Sequence, residues 1–315
     1  MKLMDVTIRE SVYYGSGIGY EEGLDYLSKL NNYISNEELE YVEICYINNI
    51  EKDNLNYNEN YINQAYDILK NKYKMVGMMH PEKVDINLWD DKIIKLFSMV
   101  RIVCSGNKIN KDVKKFIEYF HSLDIEVSIN ISFALRRSFE LNKELYNKYV
   151  EYGADYVYFA DSSGSALLFD TEELCKILVN NKKNNYTGLH LHDHLGLAFA
   201  NALIAYKNNI DITDVSITGA GRGGGNLKTE IMIPFLIKNE GKKLEAKTFH
   251  NLLNYIKYFN ELINREGNVY EQLFLDTLSG IFKLSLNEQM EIEKLSNGDM
   301  HKYIDLVYEL IGEQK

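Results

Sequence analysis

The chain has 315 residues, 45% of them hydrophobic and 26% charged, enough apolar material for a substantial core and unlike the composition of a disordered chain. Its formal net charge of −11 opposes a general attraction to phosphate backbones, so nucleic acid is not an expected partner. No run of about 18 apolar residues is present, and the opening MKLMDVTIRE meets charge too early for a secretory core. The expectation is a cytoplasmic protein that does not enter a membrane. Cys45, Cys104 and Cys175 are far apart, odd in number and outside any C-x-x-C pattern, and they read as plain buried thiols.

Short apolar, β-branched runs recur along the chain. They are LMDVTI at 3–8, YVEICYI at 41–47, KMVGMM at 74–79, VRIVC at 100–104, IEVSINI at 125–131, DYVYFA at 155–160, TGLHLH at 187–192 and DVSITG at 214–219. Between them lie patterns such as EEGLDYLSKLNNYI, KDVKKFIEYFHSL and FDTEELCKILVNNKK, whose apolar residues return at three- and four-residue spacing and predict amphipathic helices. Alternation of strand and helix implies right-handed crossovers and a parallel sheet. Eight such units within residues 1–245 give the α/β class and a (β/α)8 TIM barrel. The competing open, doubly wound sheet usually carries a Gly-rich turn after its first strand, and the glycines of RESVYYGSGIG are wrongly spaced for it. From about 246 the strand pattern stops. TFHNLLNYIKYFNELI, YEQLFLDTLSGIF and MHKYIDLVYELI predict a helical extension over 246–315 that covers part of the barrel or an interface.

Barrel active sites form where the strands end. Arg9 and Glu10 follow the first run. His190 and His192 stand two apart in GLHLHDHLG, so on a strand both project to the same side, towards the interior. TGAGRGGGN follows the eighth run, with glycines that let backbone approach a ligand and Asn226 as an oxygen donor. Each piece has an ordinary explanation alone: a satisfied rim histidine pair, a solvated glutamate, an arginine paired to a barrel carboxylate. Barrel closure brings the first and eighth strands together, and two imidazoles with one carboxylate make a facial metal set with open positions.

The stretches DVTIRES, FADSSGS at 159–165 and GLHLHDHLGLAFANALIAYKNNIDITDVSITGAGRGGGNLKTE at 188–230 resemble the DRE-TIM metallolyase superfamily (HMGL-like barrels), and within it the 4-hydroxy-2-oxovalerate aldolase-like branch. The resemblance implies that Glu10, His190 and His192 hold a divalent metal, Mn2+ or Mg2+ with Co2+ or Zn2+ as alternatives, and that Asn226 is a fourth ligand. It implies that Arg9 stabilises an enolate oxygen and that Ser162 and Gly221 meet the substrate. The sequence departs from the pattern in three places: Glu10 replaces the metal-binding Asp, Tyr13 stands where the aldolases carry a catalytic His, and Asp193-His194 follow the His pair where Asn is usual. Tyr13 and His194 are therefore the candidates for the catalytic base.

The implied activity is a carbon–carbon lyase, an aldolase acting on a 4-hydroxy-2-oxo acid through pyruvate enolate, with a 2-oxo acid and an aldehyde or ketone as its small molecules. Two alternatives compete. One is a Claisen-type acyltransferase of the isopropylmalate or homocitrate synthase kind, for which no basic cluster announces a site for CoA phosphates. The other is a barrel acting as a binding subunit. By family analogy the chain forms a homodimer, and the C-terminal helices are candidates for docking a partner dehydrogenase.

Overall fold

The structure is a computed structural model that describes residues 1–11, 18–50, 56–221, 224–263 and 286–313, with isolated positions between 274 and 284. Eight parallel strands close into a barrel: β1 (Lys2–Asp5), β2 (Tyr41–Tyr46), β3 (Lys74–Met79), β4 (Met99–Cys104), β5 (Glu126–Ile131), β6 (Tyr156–Asp161), β7 (Tyr186–Leu191) and β8 (Ile212–Val215). Closure is made by β1 on β8, in register from Lys2↔Ile212 to Asp5↔Val215. Strands covered on both faces should be almost wholly apolar. β6, YVYFAD, is buried along its whole length.

The connecting helices are α1 (Thr7–Ser11), α2 (Tyr20–Tyr33), α3 (Glu59–Leu69), α4 (Asp91–Ile94), α5 (Asp112–Ser122), α6 (Phe139–Glu151), α7 (Leu168–Asn180), α8 (Ala198–Lys207) and α9 (Thr229–Asn239). Their sequences explain them. In α5 the buried residues are Val113, Phe116, Ile117 and Phe120, the three- and four-residue spacing of one helix face. Asn58 and Ser138 start α3 and α6 by accepting the backbone N–H of Tyr61 and Leu141. Beyond β8 the described residues hold helices and no strand: α9, α10 (Ala246–Leu262), α11 (Leu286–Ser296) and α12 (Met300–Glu313). α10 lies on α2, with Tyr255 and Phe259 against the Tyr26 ring at centroid distances of 5.3 and 5.9 Å. Among the described residues no helix is long and apolar enough to cross a membrane.

Two strand boundaries differ from the hydrophobic pattern. The run 3–8 is a strand only to Asp5, because the Asp5 carboxylate accepts the backbone N–H (3.1 Å) and hydroxyl (2.9 Å) of Thr7 and the Tyr26 hydroxyl (3.1 Å). That turns the chain into α1, and Ile217 N donates to Thr7 Oγ1 at 2.9 Å, which ties the turn to the chain after β8. Burial pushes the Asp5 carboxyl up to about 7. The run 214–219 belongs to β8 only to Val215, since Thr218 takes a left-handed backbone (φ 54°) and donates its N–H to buried Glu230.

The lower barrel is closed by Met4, Tyr41, Val76, Met99, Tyr156, Tyr158 and Ile212. Gly188 on β7 makes room for one of these rings: a β-carbon there would lie 2.5 Å from three atoms of Tyr158. Gly188→Ala should therefore destabilise the protein by about 1–3 kcal/mol through overpacking, measured as a lower denaturation midpoint. A midpoint equal to wild type would show that Tyr158 yields without cost.

Candidate metal centre and active site

One turn of helix places Arg9 and Glu10 over the mouth of the barrel, and β7 delivers His190 from its last turn of pleat and His192 just beyond it. Glu10, His190 and His192 each offer a ligand atom within 4.8 Å of the others, and all three are buried. The His190 and His192 Nε2 atoms are 3.3 Å apart, and His190 Nε2 is 3.8 Å from Glu10 Oε1.

Beneath this group runs a chain of buried ions. Arg9 pairs with Glu10 and donates from Nε to Glu43 Oε2 at 2.8 Å. Arg101 Nη1 lies 3.4 Å from Glu43 and 2.8 Å from Asp214 Oδ2, and the same Asp214 oxygen is 2.8 Å from His190 Nδ1. Burial pushes the Asp214 carboxyl upward, but Arg101 and His190 outweigh it and hold the group below the usual carboxylate range. Glu10 behaves alike, lowered by Arg9 and the two imidazoles against its burial. An ionised Asp214 fixes the proton of His190 on Nδ1 and leaves the Nε2 lone pair facing Glu10 and His192, the tautomer a metal ligand needs. His192 is lowered to about 3 by burial and by His190, so it is neutral at pH 7. Two guanidinium groups face three carboxylates in this network, and the His192 Nδ1 and Asn226 Oδ1 atoms are buried without a protein partner. The donor set fits a divalent cation.

The cluster opens on a cavity of about 400 Å³ whose wall includes Arg9, Glu10, His80, Asn130, Ser132 and Ser162. Ser162, expected at the substrate, lines it, and its Oγ accepts the N–H of Phe133 at 2.9 Å. Asn226 pairs with His192 across an isolated backbone bridge, and its Nδ2 donates to Ala220 O at 2.7 Å. Gly221 lies against the Asn226 side chain, where a β-carbon would collide with it, and is not part of the cavity wall. His194 sits on the exposed rim, packed on Gly164, with its ring 5.7 Å from that of His192. Tyr13 lies outside the described residues, as do Arg222 and Gly223.

Four polar residues escape a motif reading. Glu43, Arg101 and Asp214 are single charges inside apolar runs, and that anomaly was their visible signal, since an isolated charge is not buried without a partner. His80 follows β3, lines the cavity and stacks on Tyr46 at 5.6 Å, while Arg9 lies 5.9 Å over the same Tyr46 ring.

The HMGL-like family model matches residues 92–256, more than half of the chain. The chain belongs to the HMGL-like family. The matched span contains the His pair, Asp214 and Asn226, while Arg9 and Glu10 precede it. This HMGL-like chain is 38% identical over 87 residues to the 4-hydroxy-2-oxovalerate aldolase of Thermus thermophilus, covering 28% of the chain and 25% of that protein. It is 29% identical over 129 residues to the 2-isopropylmalate synthase of Pyrococcus abyssi, covering 40% and 26%. The chain thus spans about a quarter of the length of these curated relatives. In fold it is similar to the N-terminal domain of a candidate aldolase from Bacteroides vulgatus (TM-score 0.69, 22% identity, 91% of this chain and 98% of that one). It is similar also to the HMG-CoA lyase of Bacillus subtilis (TM-score 0.61, 16% identity, 84% and 93%).

Replacing Arg101 by Met strands Glu43 and Asp214 in the barrel with less positive charge. The expected loss is about 3–5 kcal/mol of stability, read by chemical denaturation. A loss below about 1 kcal/mol would mean that water or a rearranged Arg9 compensates these carboxylates.

Proposed function

We propose that this HMGL-like barrel is a divalent-metal-dependent aldolase that breaks or forms the C3–C4 bond of a 4-hydroxy-2-oxo acid. The convergence of buried Glu10, His190 and His192 beside Arg9, at the mouth of a closed barrel, carries the reading. It is supported by membership of the HMGL-like family and by the 4-hydroxy-2-oxovalerate aldolases among its relatives. Mn2+ or Mg2+, held by these three residues with Asn226 as a further donor, would supply stabilisation of negative charge on the oxo oxygen.

The chain's own groups account for the rest. Arg9 Nη2 is buried without a protein partner and is available to donate to the oxygen on which charge develops. Ser162, on the cavity wall, is assigned to the substrate carboxylate or oxo group. His80 is the imidazole of the described cavity wall that lies outside the ligand group, and we assign it the proton-transfer role left open by Tyr13. In the cleavage direction His80 takes the proton of the C4 hydroxyl. The C3–C4 bond then breaks, the carbonyl of the aldehyde forms, and the electron pair passes into pyruvate enolate, which is protonated at C3. Tyr46 beneath the ring, Glu82 Oε1 3.7 Å from Nδ1, and Arg9 and Lys83 in the same wall set the field at His80.

The assignment is tested by purifying the protein without chelator, quantifying bound metal and assaying pyruvate release from a panel of 4-hydroxy-2-oxo acids. Stoichiometric metal with pyruvate formation is expected. Glu10→Ala should lower metal occupancy at least about tenfold, the scale on which ligand environments control affinity, and abolish release. Metal without pyruvate from any substrate would move the assignment to a Claisen condensation, and a protein that takes up no Mn2+ would be a binding subunit.

His80→Gln should lower kcat about 10²–10⁴-fold, the usual contribution of a general base, at unchanged metal content. Because a general base must be neutral to act, wild-type kcat should fall on the acid side, and that limb should vanish in the variant. Retention of the limb would remove His80 from the mechanism.

A further inference from the structure

β5 stands four strands from β1 in the closed order, so its upper interior residues face the Arg9–Glu10 turn across the cavity. Its inward positions follow from register, since Arg101↔Ser128 and Val103↔Asn130 are paired and Arg101 points into the barrel. Asn130 and the following Ser132 are two apart, on that same face, and both line the cavity. Their backbone is held firmly. Ser132 N donates to Cys104 O at 3.1 Å, and Arg137 Nη1 donates to Ser132 O at 2.7 Å.

The side chains are not satisfied in the same way. Asn130 is 5% exposed and Ser132 8%, and neither Asn130 Oδ1 nor Ser132 Oγ has a protein partner. A buried acceptor and a buried hydroxyl left unpaired are costly, and such groups persist where a ligand completes them. The complement is a group that both donates and accepts. An alkyl group would leave both atoms unpaired, and a carboxylate would set its charge against the lone pairs of Asn130 Oδ1. A hydroxyl can donate to Asn130 Oδ1 and accept from Ser132 Oγ. Met78 and Val103, on the neighbouring wall, match the carbon skeleton that carries it.

We propose that Asn130 and Ser132 form a hydroxyl-recognition subsite, so that the substrate is a 4-hydroxy-2-oxo acid bearing a further hydroxyl on its aldehyde-derived half. This rests on the aldol reading for its chemistry, while the subsite itself rests on the β5 side chains. A site that hydrogen-bonds a substrate hydroxyl discriminates strongly against the analogue without it.

The test compares 4,5-dihydroxy-2-oxopentanoate with 4-hydroxy-2-oxopentanoate on the Mn2+-loaded protein, by kcat/KM for pyruvate release and by calorimetric titration. The dihydroxy compound should be preferred at least about tenfold in kcat/KM. Ser132→Ala and Asn130→Leu should each lower the value for that compound alone and so shrink the ratio. Ser132→Ala removes one oxygen atom and, with its thermal melt as control, serves where Asn130→Leu fails to fold. Equal or reversed preference in the wild type, or a preference that survives both substitutions, overturns the subsite. If neither compound yields pyruvate the aldol reading falls by itself, and the titration decides the subsite. Tighter binding of the dihydroxy compound upholds it, and equal binding or none overturns it.

Discussion

The ion pair between Arg101 and Asp214, 2.8 Å apart and wholly shielded from water, is the contact on which the upper half of the barrel depends. A guanidinium deep in a barrel is tolerable only if carboxylates meet it, and these carboxylates in turn determine where their other partners stand. Asp214 orients His190, and Glu43 holds Arg9, which is paired with Glu10. Residues from α1, β2, β4, β7 and β8 are thereby locked into one charged layer above the apolar floor of tyrosines and methionines. The layer positions groups for work at the mouth, the floor fills the lower barrel, and the larger apolar core includes residues of the strands and the surrounding helices.

The same arrangement separates two environments within one cavity. On the β1 and β7 side lie charge, imidazoles and a guanidinium with a spare donor. On the β5 side lie neutral polar atoms on a rigid strand, with the left-handed Phe133 and its bond to Ser162 closing the corner. A substrate with an oxo acid at one end and a hydroxylated chain at the other has the same polarity. This division, more than the shape of the cavity, distinguishes the ends of the molecule that would occupy it.

Much of this was legible in the residues. Short apolar runs separated by amphipathic stretches gave all eight strands because a barrel strand is covered on both faces and cannot hide its apolar character. His190 and His192 were readable as an inward pair because spacing alone sets their common side. Strand ends were read less well: Asp5 stops β1 through bonds to neighbouring Thr7 and to Tyr26, 21 positions away, and Thr218 stops β8 with a bond to Glu230, 12 positions on. His194 was read as a candidate base, but the turn after β7 carries it to the rim against Gly164. His80, with no motif around it, could be found only by its place on the cavity wall.

Taken alone, the sequence determined the barrel, its family and the residue types of the candidate centre, since periodicity and short motifs are local properties. Only the tertiary structure decided which charges meet. Glu43, Arg101 and Asp214 are separated by 58 and 113 positions along the chain, and burial makes each depend on the others for its charge.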